Sequence, residues 1–154
     1  MNLSDILTPD TVLPNLKAKD RWEAIEELVD ALILAKSLPP QNRDTVIAAL
    51  RKREQTMSTG IGFGVGIPHA TVDCVSEVVG AIGRSAGGVN FSAMDNQPVQ
   101  LVVLFLSPAG QVQKHLQVLA NISKFLHDKK FRDQLLRAKD AKEILATIKN
   151  PSGK

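Results

Sequence analysis

The spacing of apolar positions in the first third of the chain predicts one strand and a series of helices. Residues 3–16 predict a short helical turn, followed by a short strand near Thr11-Val12-Leu13. Two longer helices are predicted from Asp20 to about Lys36 and from about Arg43 to Glu54. Asp20 has the position of an N-cap, and Glu23 completes a capping box three residues later. The residues expected to face the core are Trp22, Ile25, Leu28, Val29, Leu32 and Leu34 in the first helix, and Val46, Ile47 and Leu50 in the second.

Four glycines alternate with four apolar residues in the segment from Gly60 to Ile67. A period of two predicts a strand with one apolar face and one bare face. The bare face would let a phosphate group or the backbone of another protein approach closely. Pro68 cannot donate a ladder hydrogen bond, so the strand should end there. His69 is therefore predicted on a turn at the edge of a sheet, where functional side chains often lie.

The remaining pattern predicts further strands and then helices. Strands are expected at Val78–Arg84, Val89–Phe91 and Gln100–Leu106, and the last is apolar enough to be fully buried. Ser107-Pro108-Ala109-Gly110 predicts a turn. Three helices should follow, at about Val112–Leu126, about Lys129–Arg137 and Ala141–Lys149, the last with Asp140 as its N-cap. The first of these three should bury Leu116, Leu119, Ile122 and Phe125 or Leu126.

This order of elements predicts an α/β fold. We expect a single-domain sandwich over residues 1–150, with a mixed parallel and antiparallel sheet of about five strands and helices on both faces. Residues 151–154 should form a frayed C-terminal tail.

Composition narrows the possible classes of function. Net charge is only +3, with no Tyr and one Trp among 154 residues, so a nucleic-acid partner is not expected. The longest apolar run, Leu101–Leu106, is too short to insert into a membrane. A single cysteine, Cys74, excludes an internal disulfide and a cysteine-based metal site. Together with the absence of a signal-peptide pattern at the start, this predicts a cytoplasmic protein.

Histidine and arginine side chains are the candidate chemical groups. His69 is a potential nucleophile or base, although it could equally be a surface histidine that follows a proline. His115, in a first helical turn, could bind an anion, but the local pattern favours a solvent-facing side chain. Arg53 precedes a loop rich in hydroxyls and glycine, which suits phosphate, yet cations are also common in a last helical turn. His127, at a helix end, is interpreted as structural.

Several other kinds of site are excluded by spacing. The glycines do not follow the G-x-G-x-x-G order between a strand and a helix that a dinucleotide site needs, and no P-loop is present. His115 and His127 are too far apart in sequence to form a zinc site, and Cys74 has no partner nearby. A serine triad would need a G-x-S-x-G elbow, which the chain lacks.

The segment from Arg53-Glu54 to Pro68-His69-Ala70 resembles the active-site signature of a known family. This family is the fructose/mannitol-type (type 2) enzyme IIA domain of the bacterial phosphoenolpyruvate-dependent sugar phosphotransferase system. Arg53 lies sixteen residues before His69, as in the family, and Lys114-His115-Leu116 matches its second histidine. The resemblance extends over about residues 1–150. Gly66 departs from it, since the family usually has alanine there, and we expect the smaller residue to loosen the strand slightly.

The resemblance implies a phosphoryl relay. His69 would accept a phosphoryl group from the phosphorylated histidine-containing phosphocarrier protein and pass it to an enzyme IIB. Arg53 and His115 would act in catalysis and bind the phosphoryl group, and Ser58 and Thr59 would add hydroxyl contacts. No metal or cofactor is implied.

The resemblance leaves two further function classes open. The first is a regulatory enzyme IIA of the nitrogen-regulatory branch, which would bind target proteins in one phosphorylation state; the start at Leu3-Ser4-Asp5-Ile6-Leu7 favours it. The second is a non-catalytic anion-sensing module that has kept the fold.

Overall fold

The computed structural model describes residues 3–93 and 95–150. Within these ranges the helices are α1 (Leu3–Ile6), α2 (Arg21–Leu34), α3 (Arg43–Thr56), α4 (Val112–His127), α5 (Lys129–Arg137) and α6 (Ala141–Lys149). The strands are β1 (Val12–Leu13), β2 (Gly60–Gly62), β3 (Val65–Gly66), β4 (His69–Val72), β5 (Val79–Val89) and β6 (Val99–Pro108). The predicted tail, residues 151–154, lies outside the described residues. None of the described helices is both long and apolar enough to cross a lipid bilayer.

The strands form one mixed sheet around β6. Its antiparallel neighbour is β5, which also pairs in parallel with β1. On its other side β6 pairs in parallel with β3 and β4, and β2 runs antiparallel to β3. The predicted mixed sheet is therefore confirmed, with six strands in the described residues. The two strands expected at residues 78–91 are one strand, β5, whose register shifts between Arg84 and Val89.

Both faces of the sheet are covered by helices, as predicted. Along β6, Leu101, Val103 and Phe105 belong to a core shared with α1, α4, α5 and α6. The alternate residues of the same strand, Val102, Leu104 and Leu106, belong to a second core shared with α2 and α3. Side chains alternate between the two faces of a strand, so a strand buried on both faces reads as a continuous apolar run.

Asp20 and Asp140 cap α2 and α6 as predicted, but the predicted capping box is not formed and two core assignments are wrong. The Asp20 carboxylate accepts from the Glu23 N–H at 2.9 Å, and the Glu23 carboxylate reaches back to the Lys19 N–H, one residue before the cap. Leu34 is 82% exposed because it lies two residues after Leu32, on the opposite side of the helix. Leu116 is 55% exposed, and the buried face of α4 is formed by Val118, Ile122 and Leu126.

The glycine segment is a hairpin and not one strand, which corrects the prediction. Gly62, Phe63 and Gly64 have φ values of +96°, +58° and +75°, and this left-handed backbone reverses the chain between β2 and β3. Gly60 therefore faces Gly66 across the hairpin. The chain then continues through Pro68 into β4, so His69 begins a strand and does not lie on a turn.

The predicted bare glycine face is filled by the protein itself. A Cβ on Gly66 would lie 2.9 Å from Phe91 Cε2, and one on Gly60 would lie 2.8 Å from Ala93 Cβ. Phe91 is fully buried, so its ring fixes the packing of the hairpin. Gly66 thus makes room for an aromatic ring and does not loosen the strand.

We predict that Gly66→Ala lowers the free energy of unfolding by about 1–3 kcal/mol, because the new methyl group overpacks against the Phe91 ring. The urea unfolding curve measures this change. Gly87→Ala is the matched control, since a Cβ there meets no atom within 4 Å. If the two variants unfold at the same urea concentration, the packing assigned to Phe91 is wrong.

Candidate active site

The predicted residues Arg53, His69 and His115 meet at one cleft of about 480 Å³ between α3, β4 and α4. The cleft is lined by Ala49, Lys52, Arg53, Thr56, His69, Ala70, Thr71 and His115. Three separate elements supply its polar groups, so the fold is needed to assemble them.

His69 is held against the central strand. It pairs with Phe105 across the parallel β4–β6 ladder, and the two rings stack with centroids 5.2 Å apart and an interplanar angle of 7°. The side chain is almost buried, with the residue 8% exposed. A stacked and largely buried ring has little rotational freedom, which fixes the direction of its nitrogen atoms.

The hydrogen bond of His69 assigns its tautomer. Nδ1 lies 2.6 Å from the backbone oxygen of Ile67. A carbonyl oxygen can only accept, so Nδ1 carries the proton and Nε2 carries the lone pair. Burial lowers the pKa of His69, the charges of Arg53 and His115 lower it further, and the Ile67 bond and Glu54 oppose this. The ring is thus neutral near neutral pH, with a nucleophilic Nε2.

His115 lies beside His69. Its ring centroid is 5.3 Å from that of His69 and 5.1 Å from that of Phe105, so the Phe105 ring contacts both imidazoles. Nδ1 of His115 is hydrogen-bonded to the hydroxyl of Ser107. Burial and the nearby Arg53 lower the pKa of His115 as well. The cleft therefore holds two neutral imidazoles side by side.

Arg53 supplies positive charge at the end of α3. Its Nη1 donates to the backbone oxygen of Met57 at 3.1 Å, which anchors the side chain at the helix end. A guanidinium carries several N–H donors, so this bond leaves others for an anion. Its charge adds to burial in lowering the pKa of both histidines.

Ser58 and Thr59 are positioned differently from the prediction. The Ser58 hydroxyl donates to the Phe91 backbone oxygen at 2.6 Å, and the Thr59 hydroxyl donates to the Glu54 carboxylate at 2.5 Å. Each hydroxyl has one proton to donate, so neither can also donate to a phosphate group without breaking its bond. Neither residue lines the cleft described above. They organise the loop after α3.

Glu54 is the group that holds this loop. Its fully buried carboxylate accepts from the Thr59 N–H at 2.8 Å as well as from the Thr59 hydroxyl, and it forms an ion pair with Arg21 at 3.3 Å. A buried carboxylate needs such partners to offset the loss of water. Glu54 thereby fixes the end of α3 that carries Arg53.

Phe105 and Ser107 are the site residues that sequence reasoning missed. The strand was predicted to end at Leu106, which placed Ser107 in a turn. In the structure β6 continues to Pro108, and Phe105 and Ser107 share one face. One signal was available in the sequence. Ser107 follows Phe105 by two residues, so the alternation of a strand that continued past Leu106 would place both side chains on one face.

Among the described residues, no three His, Cys, Asp or Glu side chains are close enough to hold a metal ion.

The lowered pKa of His69 predicts an unusual pH dependence for its nucleophilicity. Only the neutral ring is nucleophilic, and an ordinary histidine loses this form as pH falls through about 6.5. Because burial and Arg53 lower the pKa of His69, the midpoint of its titration should lie below about pH 6.5, so the ring keeps its nucleophilic form to a lower pH than an ordinary histidine does. NMR titration of the His69 ring measures this midpoint. A midpoint at or above pH ~6.5 would contradict the prediction.

The chain belongs to the family described as "Phosphoenolpyruvate-dependent sugar phosphotransferase system, EIIA 2", whose model matches residues 5–151. Two curated relatives carry different names. A "Nitrogen regulatory protein" of Bradyrhizobium diazoefficiens is 34% identical over 151 residues, covering 98% of this chain and 97% of the relative. A "PTS system fructose-specific EIIA component" of Haloferax volcanii is 40% identical over 128 residues, covering 81% of this chain and 82% of the relative.

Solved structures show the same fold. The nitrogen regulatory protein IIA-Ntr of Neisseria meningitidis superposes with a TM-score of 0.85 at 29% identity, covering 95% of this chain and 98% of that one. The enzyme IIA mannitol of Escherichia coli, in a complex with phosphorylated enzyme IIB mannitol, superposes with a TM-score of 0.77 at 21% identity, covering 94% and 97%. The second likeness concerns the fold alone.

Proposed function

We propose that this protein is a phosphocarrier that accepts a phosphoryl group on Nε2 of His69 from the phosphorylated histidine-containing phosphocarrier protein. The observation that carries the proposal is the bond from Nδ1 of His69 to Ile67, which leaves the Nε2 lone pair in a cleft beside Arg53 and His115. The phosphorus–nitrogen bond of the donor breaks as the bond to Nε2 forms. The Nδ1 proton stays on the ring, and the Ile67 oxygen stabilises the positive charge that the ring gains.

Arg53 and His115 have distinct roles in this transfer. Phosphoryl transfer depends on positioning and on neutralising charge on the transferred oxygens. The guanidinium of Arg53 offers that charge at the cleft, and His115 offers a neutral ring nitrogen next to His69. Neither residue needs to form a covalent bond. We therefore assign nucleophilic attack to His69 alone.

The acceptor in this proposal is an enzyme IIB of a sugar phosphotransferase system, in the cytoplasm. The family of this chain and its 40% identity to a fructose-specific EIIA component support this class of partner. An exposed apolar side chain next to the site suits a small, transient interface. Leu116 follows His115 and is 55% exposed. The exposed ring of Phe63 lies instead against His127, at the opposite end of α4 from His115.

A regulatory function is the second candidate. The Bradyrhizobium nitrogen regulatory protein matches this chain over nearly the full length of both, which favours a regulator that binds targets in one phosphorylation state. The chemistry at His69 would be the same, and only the fate of the phosphoryl group would differ.

Onward transfer separates the two candidates. The protein is first phosphorylated with labelled phosphoenolpyruvate and the purified relay proteins, then mixed with an enzyme IIB of the fructose or mannitol class. A phosphocarrier passes the label to the IIB within the mixing time. A regulator retains it, and pull-downs with the phosphorylated and unphosphorylated forms then capture different proteins. Absence of any label on the protein contradicts both and leaves the anion-sensing module.

A further inference from the structure

Ser107 is a buried hydroxyl that the proposed transfer does not yet use. It is 0% exposed and lies on β6, where its backbone pairs with Thr71 of β4. Its Oγ is hydrogen-bonded to Nδ1 of His115. Within residues 3–93 and 95–150, this ring nitrogen is the side-chain partner that the structure gives to the hydroxyl.

Two proton arrangements are compatible with that bond. In one, the hydroxyl donates to Nδ1 and the His115 proton lies on Nε2. In the other, Nδ1 donates to the hydroxyl, and Nε2 carries a lone pair. The second arrangement leaves the buried Ser107 proton without this acceptor, which is unfavourable in a dry interior. It would also turn a lone pair of His115 toward the oxygens of a phosphoryl group. The first arrangement avoids both costs.

We propose that Ser107 is a positioning residue, whose hydroxyl donates to Nδ1 of His115 and thereby fixes the proton of that ring on Nε2. The neighbouring imidazoles are then held in opposite tautomers. His69 presents a lone pair at Nε2 because its Nδ1–H donates to Ile67, and His115 presents an N–H at Nε2 because its Nδ1 accepts a hydrogen bond from the Ser107 hydroxyl. One ring attacks phosphorus while the other donates a hydrogen bond to the transferred oxygens. That last role rests on the proposed function, whereas the tautomer does not.

The tautomer is measured directly by long-range proton–nitrogen NMR on the full chain with ¹⁵N-labelled histidine, at about pH 7.5 where both rings are neutral. A His115→Gln variant assigns the signals. We expect the proton of His115 on Nε2 in the unmodified protein. A proton on Nδ1 of His115 would overturn the proposal, whatever the variants below show.

Two substitutions of equal size isolate the hydroxyl. Ser107→Thr keeps the donor and Ser107→Val removes it, so the strain of the added carbon atoms is common to both. In the Ser107→Val variant we expect His115 to populate both tautomers. We also expect His69 to be phosphorylated about tenfold more slowly in this variant than in Ser107→Thr. Ser85→Ala is the control for a buried strand serine elsewhere, whose hydroxyl accepts from the Gly88 N–H.

The outcomes distinguish this inference from the proposed function. Equal tautomers and equal rates in the threonine and valine variants overturn the positioning role. If the unmodified protein shows the expected tautomer but never accepts label, the proposed function fails and the tautomer assignment stands. If the valine variant does not fold, Ser107→Ala takes its place in the same comparison.

Discussion

Replacing His69 with alanine or glutamine should abolish phosphorylation of the protein completely. Nε2 of His69 is the lone pair that the Ile67 bond directs to the cleft, and His115 is predicted to carry a proton at its corresponding nitrogen. No second imidazole lone pair would then face the cleft. Incubation with labelled phosphoenolpyruvate and the purified relay proteins measures the incorporated phosphate.

His127→Ala is the matched control for this experiment, because His127 is exposed and lies outside the cleft. It should accept label at the rate of the unmodified protein. Alanine would leave a cavity next to the Phe105 ring, on which His69 stacks. Glutamine fills part of that space, so a loss of label in the glutamine variant is not caused by the cavity. Label retained by folded His69→Gln would show that another residue accepts the phosphoryl group.

Replacing Arg53 with alanine should slow phosphoryl transfer to His69 about 100-fold, which is the second-largest loss we expect. His69 itself can still accept the phosphoryl group in this variant. Preorganised donors at developing charge contribute effects of about this size. The same change should raise the pKa of His69, because the guanidinium charge lowers it. Rates are therefore compared at about pH 8, where His69 is neutral in both proteins.

Arg51→Ala is the control for charge, since Arg51 belongs to the same helix but pairs with Glu26 and lies over Trp22. It should transfer nearly normally. Arg53→Lys should recover only part of the lost rate, because an ammonium lacks the planar fork that binds two oxygens at once. Equal rates for Arg53→Ala and Arg51→Ala would remove Arg53 from the mechanism.

The sequence predicted best where one period of apolar residues continued without interruption. The bounds of α5 and α6 were predicted as the structure has them, and β6 was identified from its apolar run. The buried residues of each of these elements follow one regular period, so the apolar positions in the sequence identify the element. Leu34 and Leu116 were misassigned because an apolar residue near a helix end can face solvent without cost to the core.

The hairpin, and the hydrogen-bond partners of the two site histidines, could not be predicted in the same way. Alternating Gly and apolar residues suit a strand and a hairpin equally, and the contact between Phe91 and Gly66 that packs the hairpin is a tertiary one. Arg53, His69 and His115 were predicted as site residues mainly through the family resemblance. The partners that set their protonation, the Ile67 backbone and Ser107, depend on tertiary contacts that carry no local motif.

The position of the phosphoryl group on a single nitrogen atom tests the central claim most directly. The ¹⁵N-histidine-labelled protein is phosphorylated through the relay, and phosphorus–nitrogen couplings are recorded for each ring. We predict that phosphorus is bonded to Nε2 of His69 while Nδ1 keeps its proton toward Ile67. Phosphorus on Nδ1 of His69, or on either nitrogen of His115, would contradict it.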